Sequence, residues 1–197
     1  HEQSLAILQR AQKAGLRGRV HADEFSDVDA ISVAIAAKAA TADHLIHAPL
    51  DKVAQFAAGG GIPVLLPAAS LLLALGFAPA RRYVEEDLPF ALGSDYNPGS
   101  SPTWSMQVVL GLACACFRLS AAEALTAATI NAAFSLGLGA ETGVIAPGYS
   151  ADLVMWEADD YREIPLRLGA PVVRGVIARG RVVAVSSGRK EGVTLVR

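Results

Sequence analysis

The chain has 197 residues, 52 % hydrophobic and 18 % charged, a balance that excludes a disordered chain and suits one substantial domain or a domain with a small appendage. Its 17 basic and 19 acidic residues leave a net charge of -2 with no basic stripe interleaved with aromatics, so nucleic acid is not an expected partner. The longest apolar run, from Ile62 to Ala80, is interrupted by Pro63, Pro67, Gly76 and Pro79, which argues against a membrane-spanning helix, and no signal segment is expected.

The chain opens on a helix-like segment, Glu2 to Ala14, for which His1 and Glu2 mark a helix start. Four short strand-like runs follow, at Gly18–Ala22, Ala42–Leu45, Ile62–Leu66 and Phe90–Ser94, each separated from the next by a segment that can hold a helix. Between the first two, Ala30–Ala40 is alanine-rich and free of breakers; before the third, Asp51–Ala58 places its apolar residues on one helical face. Trp104 to Phe117 reads as a largely buried helix. Ser120 and Glu123 have the capping-box spacing for a further helix to about Leu136, stopped by Gly137 and Gly139.

After Gly143 the pattern changes to turns and β-rich runs at Ala151–Trp156, Val172–Ala178 and Val182–Val185, with a turn at Arg179-Gly180. A boundary near residue 140 is therefore expected, dividing 1–140 from 141–197. Parallel strands alternating with helices fit an open doubly wound sheet or a closed barrel, and four units would be half of an eight-fold barrel. Cys114 and Cys116 lie in an apolar helix, where neighbouring positions face apart and make a poor disulfide; they read as core thiols in a reducing cytoplasm.

The polar residues fall where chemistry is expected. His21, Asp23 and Glu24 close the first run, His44 lies in the second, and Asp95 ends the fourth. In β/α barrels the C-terminal strand ends form the catalytic face, so these residues would converge on one pocket. Histidines and carboxylates together suit a divalent ion with a position left open for water, and Glu24, His44 or Asp95 could handle its proton. His21 and His44 are equally readable as hydrogen-bonded core histidines, and Asp95 as a residue that ties down the turn-rich Tyr96-Asn97-Pro98-Gly99. Asp23 and Glu24 also read as solvated loop carboxylates. His47 is not expected to be a ligand. The glycines at 59–61 lack the following Lys-Ser/Thr of a phosphate loop.

Val20-His21-Ala22-Asp23-Glu24-Phe25, Ala42-Asp43-His44-Leu45, Val64-Leu65-Leu66-Pro67 and the run from Ala91 to Ser100 resemble the imidazolonepropionase family in order and spacing. Ala128-Thr129-Ile130-Asn131-Ala132-Ala133 and Gly148-Tyr149-Ser150-Ala151-Asp152-Leu153-Val154 resemble the wider amidohydrolase superfamily. The resemblance implies an α/β fold, the second half (strands five to eight) of a (β/α)8 barrel, followed by part of a small β-sandwich. It implies His21 and Asp95 as ligands of one zinc or iron ion, and Glu24, His44 and Asp95 as catalytic. Glu24, Asn97, Gly99 and Ser100 would contact a small-molecule substrate, with the last three holding its propionate end.

The implied reaction is hydrolysis of the ring amide of 4-imidazolone-5-propanoate to N-formimidoyl-L-glutamate, in histidine degradation. The family's first-strand His-x-His pair and fourth-strand histidine belong to an N-terminal half absent from these residues, so the chain alone is expected to be inactive. Homodimers occur in the family. Two alternatives stay open: another amidohydrolase, such as a formimidoylglutamate or nucleobase deaminase, and a non-catalytic half-barrel that serves as an interaction module.

Overall fold

A computed structural model describes residues 1–186 and 193–195. Helix α1 (Glu2–Lys13) leads into β1 (Arg19–Ala22), α2 (Ala30–Ala36), β2 (Thr41–His44), α3 (Leu50–Ala58) and β3 (Ile62–Leu65). Then come α4 (Pro67–Leu72), α5 (Ala80–Glu85), β4 (Ala91–Leu92), α6 (Met106–Cys116), α7 (Ala121–Ala128) and α8 (Ile130–Leu136). The remainder is β5 (Leu153–Trp156), a 3-10 turn at Tyr161–Glu163, β6 (Val173–Ala178), β7 (Arg181–Ser186) and β8 (Val193–Leu195).

Strands β1 to β4 form one parallel sheet in sequence order, which requires the helical crossovers that the alternating pattern predicted. Strands β5 to β8 form a second, antiparallel sheet, also in sequence order. Part of the β-rich tail, residues 187–192, 196 and 197, lies outside the described residues.

The parallel sheet has two unlike faces because side chains alternate along each strand. On one, Ala22, Ala42, Leu65 and Leu92 join Ile31 and Ala34 of α2, Val53 and Phe56 of α3, Tyr83 of α5 and Val109 of α6 in the main core. Fully burying a side chain such as Leu65 or Val53 contributes about 1.5–3 kcal/mol. On the other face, register sets His21, Asp43, Val64 and Ala91 in one row across all four strands, with Arg19, Thr41 and Ile62 in the row behind. Apolar packing on this side is confined to a small cluster of Val64, Leu66, Ala69 and Ala91, flanked by Ile62 and Ala132.

Helix α8 lies against the N-terminal ends of the strands. The Arg19 guanidinium donates to the Ser135 carbonyl at 3.1 Å and the Asn131 amide donates to the Phe90 carbonyl at 2.8 Å. That placement explains why the helix expected from Ser120 to Leu136 is two helices. The capping box forms as expected, with Ser120 Oγ accepting from the Glu123 N–H at 3.3 Å and Glu123 Oε2 from the Ser120 N–H at 2.7 Å. The chain then breaks at Thr129 (φ -116°, ψ -89°), whose hydroxyl donates to the Leu125 carbonyl at 2.7 Å, and turns so that Asn131 can reach the sheet.

The alanine-rich segment is likewise shorter than its helix propensity suggests. It ends at Ala36, and Lys38 takes φ +48° so that Ala40 N–H can bond the Gly18 carbonyl at 2.8 Å and start β2. Tertiary pairing overrides propensity here. The fourth run, expected over Phe90–Ser94, is regular only at Ala91–Leu92, although the Gly93 N–H still reaches the Leu65 carbonyl at 3.2 Å. Cys114 and Cys116 are free and half-buried, and Cys114 packs on the main core.

Candidate metal centre

At the C-terminal ends of β1 and β2 the backbone leaves the strand conformation. Asp23 (φ +50°), His44 (φ +72°), Leu45 (φ +56°) and, past β4, Asp95 (φ +51°) are all left-handed without being glycine. Such residues cost about 1–2 kcal/mol each and persist only where surrounding contacts fix them. The contact at Asp23 is visible. Its side chain is 2 % exposed and accepts three backbone N–H groups, from Val28 at 3.2 Å, Ala30 at 2.9 Å and Ile31 at 3.0 Å. The reading of Asp23 as a solvated loop carboxylate is therefore corrected: it caps the orphan amides at the start of α2 and pins the loop that begins with Glu24.

His44 gains most from the irregular backbone. Strict alternation would put it on the face opposite His21, since its register partner is Ala22. With the left-handed φ, its ring instead meets His21, with Nδ1 of His21 and Nε2 of His44 at 2.8 Å and ring centroids 4.9 Å apart. One of the two nitrogens carries the shared proton. His44 Nδ1 lies 3.5 Å from Glu24 Oε1 without hydrogen-bonding geometry, so it is a buried nitrogen with no hydrogen-bond partner among the described residues.

One donor atom from each of His21, Glu24 and His44 lies within 4.8 Å of the others, the one such grouping among the described residues. Two imidazoles and a carboxylate, with one buried ring nitrogen unpartnered, fit the donor set of a divalent transition metal. Asp95 stands outside this tight group. Its charge nonetheless acts on Glu24, and the His21 charge acts on it. His47 is exposed and takes no part.

Electrostatics at the site follow from burial. Burial, then the nearby His21 charge, lowers the His44 pKa to about 4, so its ring is neutral near pH 7. Burial raises the Glu24 carboxyl; the His21 charge opposes the shift and Asp95 adds to it. Asp95 is raised by burial too, against a lowering by His21.

The loop after Asp95 is held from within. Asn97 Oδ1 accepts the N–H groups of Gly99 at 2.9 Å and Ser100 at 2.8 Å, while its Nδ2 donates to the Asp95 carbonyl at 2.7 Å and Ser100 Oγ at 2.8 Å. Asn97 is thus the keystone of the loop, with Gly99 exposed on it. Sequence reasoning missed two residues. Asp23 was weighed as a strand-end or a solvated carboxylate and not as a cap, and Asp43 received no role although strand alternation from Thr41 places it on the His21 face.

Donor side chains gathered at the strand ends of a parallel β/α sheet are the layout on which β/α enzymes build a catalytic site. Comparison with known proteins narrows this. The amidohydrolase family profile matches residues 2–183, and the chain belongs to that family.

Among curated relatives, the chain is 42 % identical over 182 residues to the imidazolonepropionase of Symbiobacterium thermophilum, covering 92 % of this chain and 43 % of that protein. It is 37 % identical over 191 residues to the imidazolonepropionase of Bacillus velezensis, covering 96 % of this chain and 45 % of the relative. It therefore spans less than half the length of either protein.

Of solved structures, a zinc-bound adenosine deaminase from Xanthomonas campestris aligns with a TM-score of 0.76 at 22 % identity, over 97 % of this chain and 51 % of that one. A zinc complex of atrazine chlorohydrolase from Arthrobacter aurescens aligns with a TM-score of 0.74 at 23 % identity, over 92 % and 47 %. At these identities the likeness is one of fold.

Proposed function

We propose that residues 1–140 supply strands five to eight of a (β/α)8 amidohydrolase barrel, that residues 141–197 supply part of its β-sandwich, and that the complete protein is an imidazolonepropionase. The carrying observation is the meeting of His21, Glu24 and His44 donor atoms within 4.8 Å at the strand ends. Similarity to imidazolonepropionases over 92 % of the chain supports the substrate, as does the self-bonded loop from Asp95 to Ser100. The N-terminal half, absent here, would pair with the open edges of β1 and β4 and add the remaining ligands.

His21 and Asp95 would hold one zinc or iron ion, which when bound polarises the ring carbonyl and acidifies water. The residues of this chain do the rest. Glu24 contacts the imidazolone ring and takes a proton from the attacking water, a role suited to a carboxyl raised by burial. His44, neutral near pH 7, donates an N–H to the developing oxyanion without adding a buried charge. Glu24 then returns that proton to the ring nitrogen as the C–N bond breaks, and Asp95 accepts the second water proton, so that N-formimidoyl-L-glutamate forms as its carboxylate. Asn97, through the turn it organises, would present the Gly99 and Ser100 region to the propionate. A reducing cytoplasm suits the two free thiols.

The test is hydrolysis of imidazolonepropionate by the complete protein, by the same protein carrying Glu24→Gln, and by this 197-residue chain alone. Activity in the first, lost in the other two, is the expected pattern. Wild-type turnover by the isolated chain would contradict the half-barrel reading, and full activity of Glu24→Gln would remove Glu24 from the chemistry.

A further inference from the structure

Asp43 is a titratable residue close to the candidate metal centre that the proposed chemistry leaves unused. It is the register neighbour of His21 across the β1–β2 pair, so the two side chains share a face of the sheet. Its Oδ1 is shut off from solvent and has no hydrogen-bond partner among the described residues; the same holds for Thr41 Oγ1, one row behind. Burial raises the Asp43 carboxyl above its ordinary value; the nearby Thr41 hydroxyl, though not at hydrogen-bonding geometry, and the His21 and Arg19 charges act against that shift, and Asp95 adds to it. The positive groups whose charge reaches Asp43 are His21 and Arg19, and the Arg19 guanidinium is engaged by the Ser135 carbonyl.

A carboxylate placed this way is costly unless a positive charge answers it. The His21–Glu24–His44 donor set is where such a charge would sit. We propose that Asp43 is a positioning residue for the cation: a second, non-coordinating carboxylate beside His21 whose negative charge strengthens the hold of the site on a divalent ion. The inference rests on the metal-centre reading above. It adds that the affinity comes partly from a residue that touches neither ion nor substrate. Removing outer partners of metal ligands costs about 10–100-fold in metal affinity, which sets the scale expected here.

The experiment measures Zn²⁺ dissociation constants of the complete protein by competition with a chromophoric chelator, together with its Co²⁺ absorption spectrum. The variants are Asp43→Asn, Thr41→Val and His21→Ala. Asp43→Asn should weaken Zn²⁺ about 10–100-fold while leaving the Co²⁺ spectrum unchanged, because the ligands are intact. Thr41→Val, which alters the same buried region without changing charge, should bind as wild type.

His21→Ala should abolish stoichiometric binding. If it does not, the metal-centre reading fails. If it does and Asp43→Asn binds Zn²⁺ as tightly as wild type, only the inference about Asp43 fails. An altered Co²⁺ spectrum in Asp43→Asn would make Asp43 a ligand and overturn the proposal, and equal weakening by Thr41→Val would reduce it to packing. Should Asp43→Asn not fold, Asp43→Ser removes the same charge and carries the same expectation.

Discussion

Replacing Asp23 tests how the loop bearing Glu24 is held. The Asp23 carboxylate accepts the buried Ile31 N–H on Oδ2 and the half-buried Val28 and Ala30 N–H groups on Oδ1. Asp23→Ala strands all three donors. A buried donor without a partner costs about 1–3 kcal/mol, and one that water can reach costs less. Taking about 2 kcal/mol for Ile31 and about half of that for each of the others gives a loss of about 4 kcal/mol.

Asp23→Asn keeps one carbonyl oxygen for two of the donors but turns an amide nitrogen toward the third, a loss of about 2 kcal/mol. Amide hydrogen exchange at Val28, Ala30 and Ile31 reads this directly. At about 1.4 kcal/mol per decade, Ile31 should exchange roughly 30-fold faster in Asp23→Asn and roughly 700-fold faster in Asp23→Ala. Hydrolysis should fall in parallel, since Glu24 is the next residue. Wild-type protection of Ile31 in Asp23→Ala would refute the capping role.

Other outcomes follow from single contacts. Arg81 clasps Glu123 at 3.1 and 2.9 Å, and its hydrogen bonds, with the Ser120 amide, bring the Glu123 carboxyl from 4.5 to about 2. A lowered folded pKa gives stability that is complete above pH 4.5 and lost as pH falls toward 2; the pair is partly solvated, so about 1 kcal/mol should vanish in that window, and Arg81→Ala should weaken the dependence in acid melts, leaving the part that the Ser120 bonds sustain.

Gly111→Ala in α6 would push a methyl to 2.4 Å from Leu168 Cδ2 and 2.7 Å from the Pro165 carbonyl. A loss of about 1–3 kcal/mol should exceed the helix-propensity gain of about 1 kcal/mol, and an unchanged or raised Tm would contradict that packing. Asn97→Ala removes the side-chain bonds that Asn97 makes within the loop and should raise KM for imidazolonepropionate about tenfold; an unchanged KM would favour a different substrate.

How far the sequence revealed this arrangement depends on the residue. The β/α rhythm was legible because buried parallel strands read as short apolar runs, and the capping box because Ser120 and Glu123 satisfy each other locally. The ends of α2 and α7 were not. Each is set by a distant partner, Gly18 for the first and Phe90 for the second, and propensity carries no record of either. At the site, His21 was legible from its place at a strand end. His44 came to hand only through a left-handed backbone that alternation does not predict. Asp23 was misread because a carboxylate among acidic neighbours looks solvated until the amides it accepts are visible.

The central claim is that His21 and Asp95 hold a cation at the strand ends, with Glu24 and His44 beside it. Elemental analysis of the complete protein after extensive dialysis against metal-free buffer tests it most directly, with His21→Ala alongside. The account predicts close to one zinc or iron ion per chain in the wild type and its loss in His21→Ala. A wild type that retains no ion, or a His21→Ala protein that keeps its full complement, would contradict it.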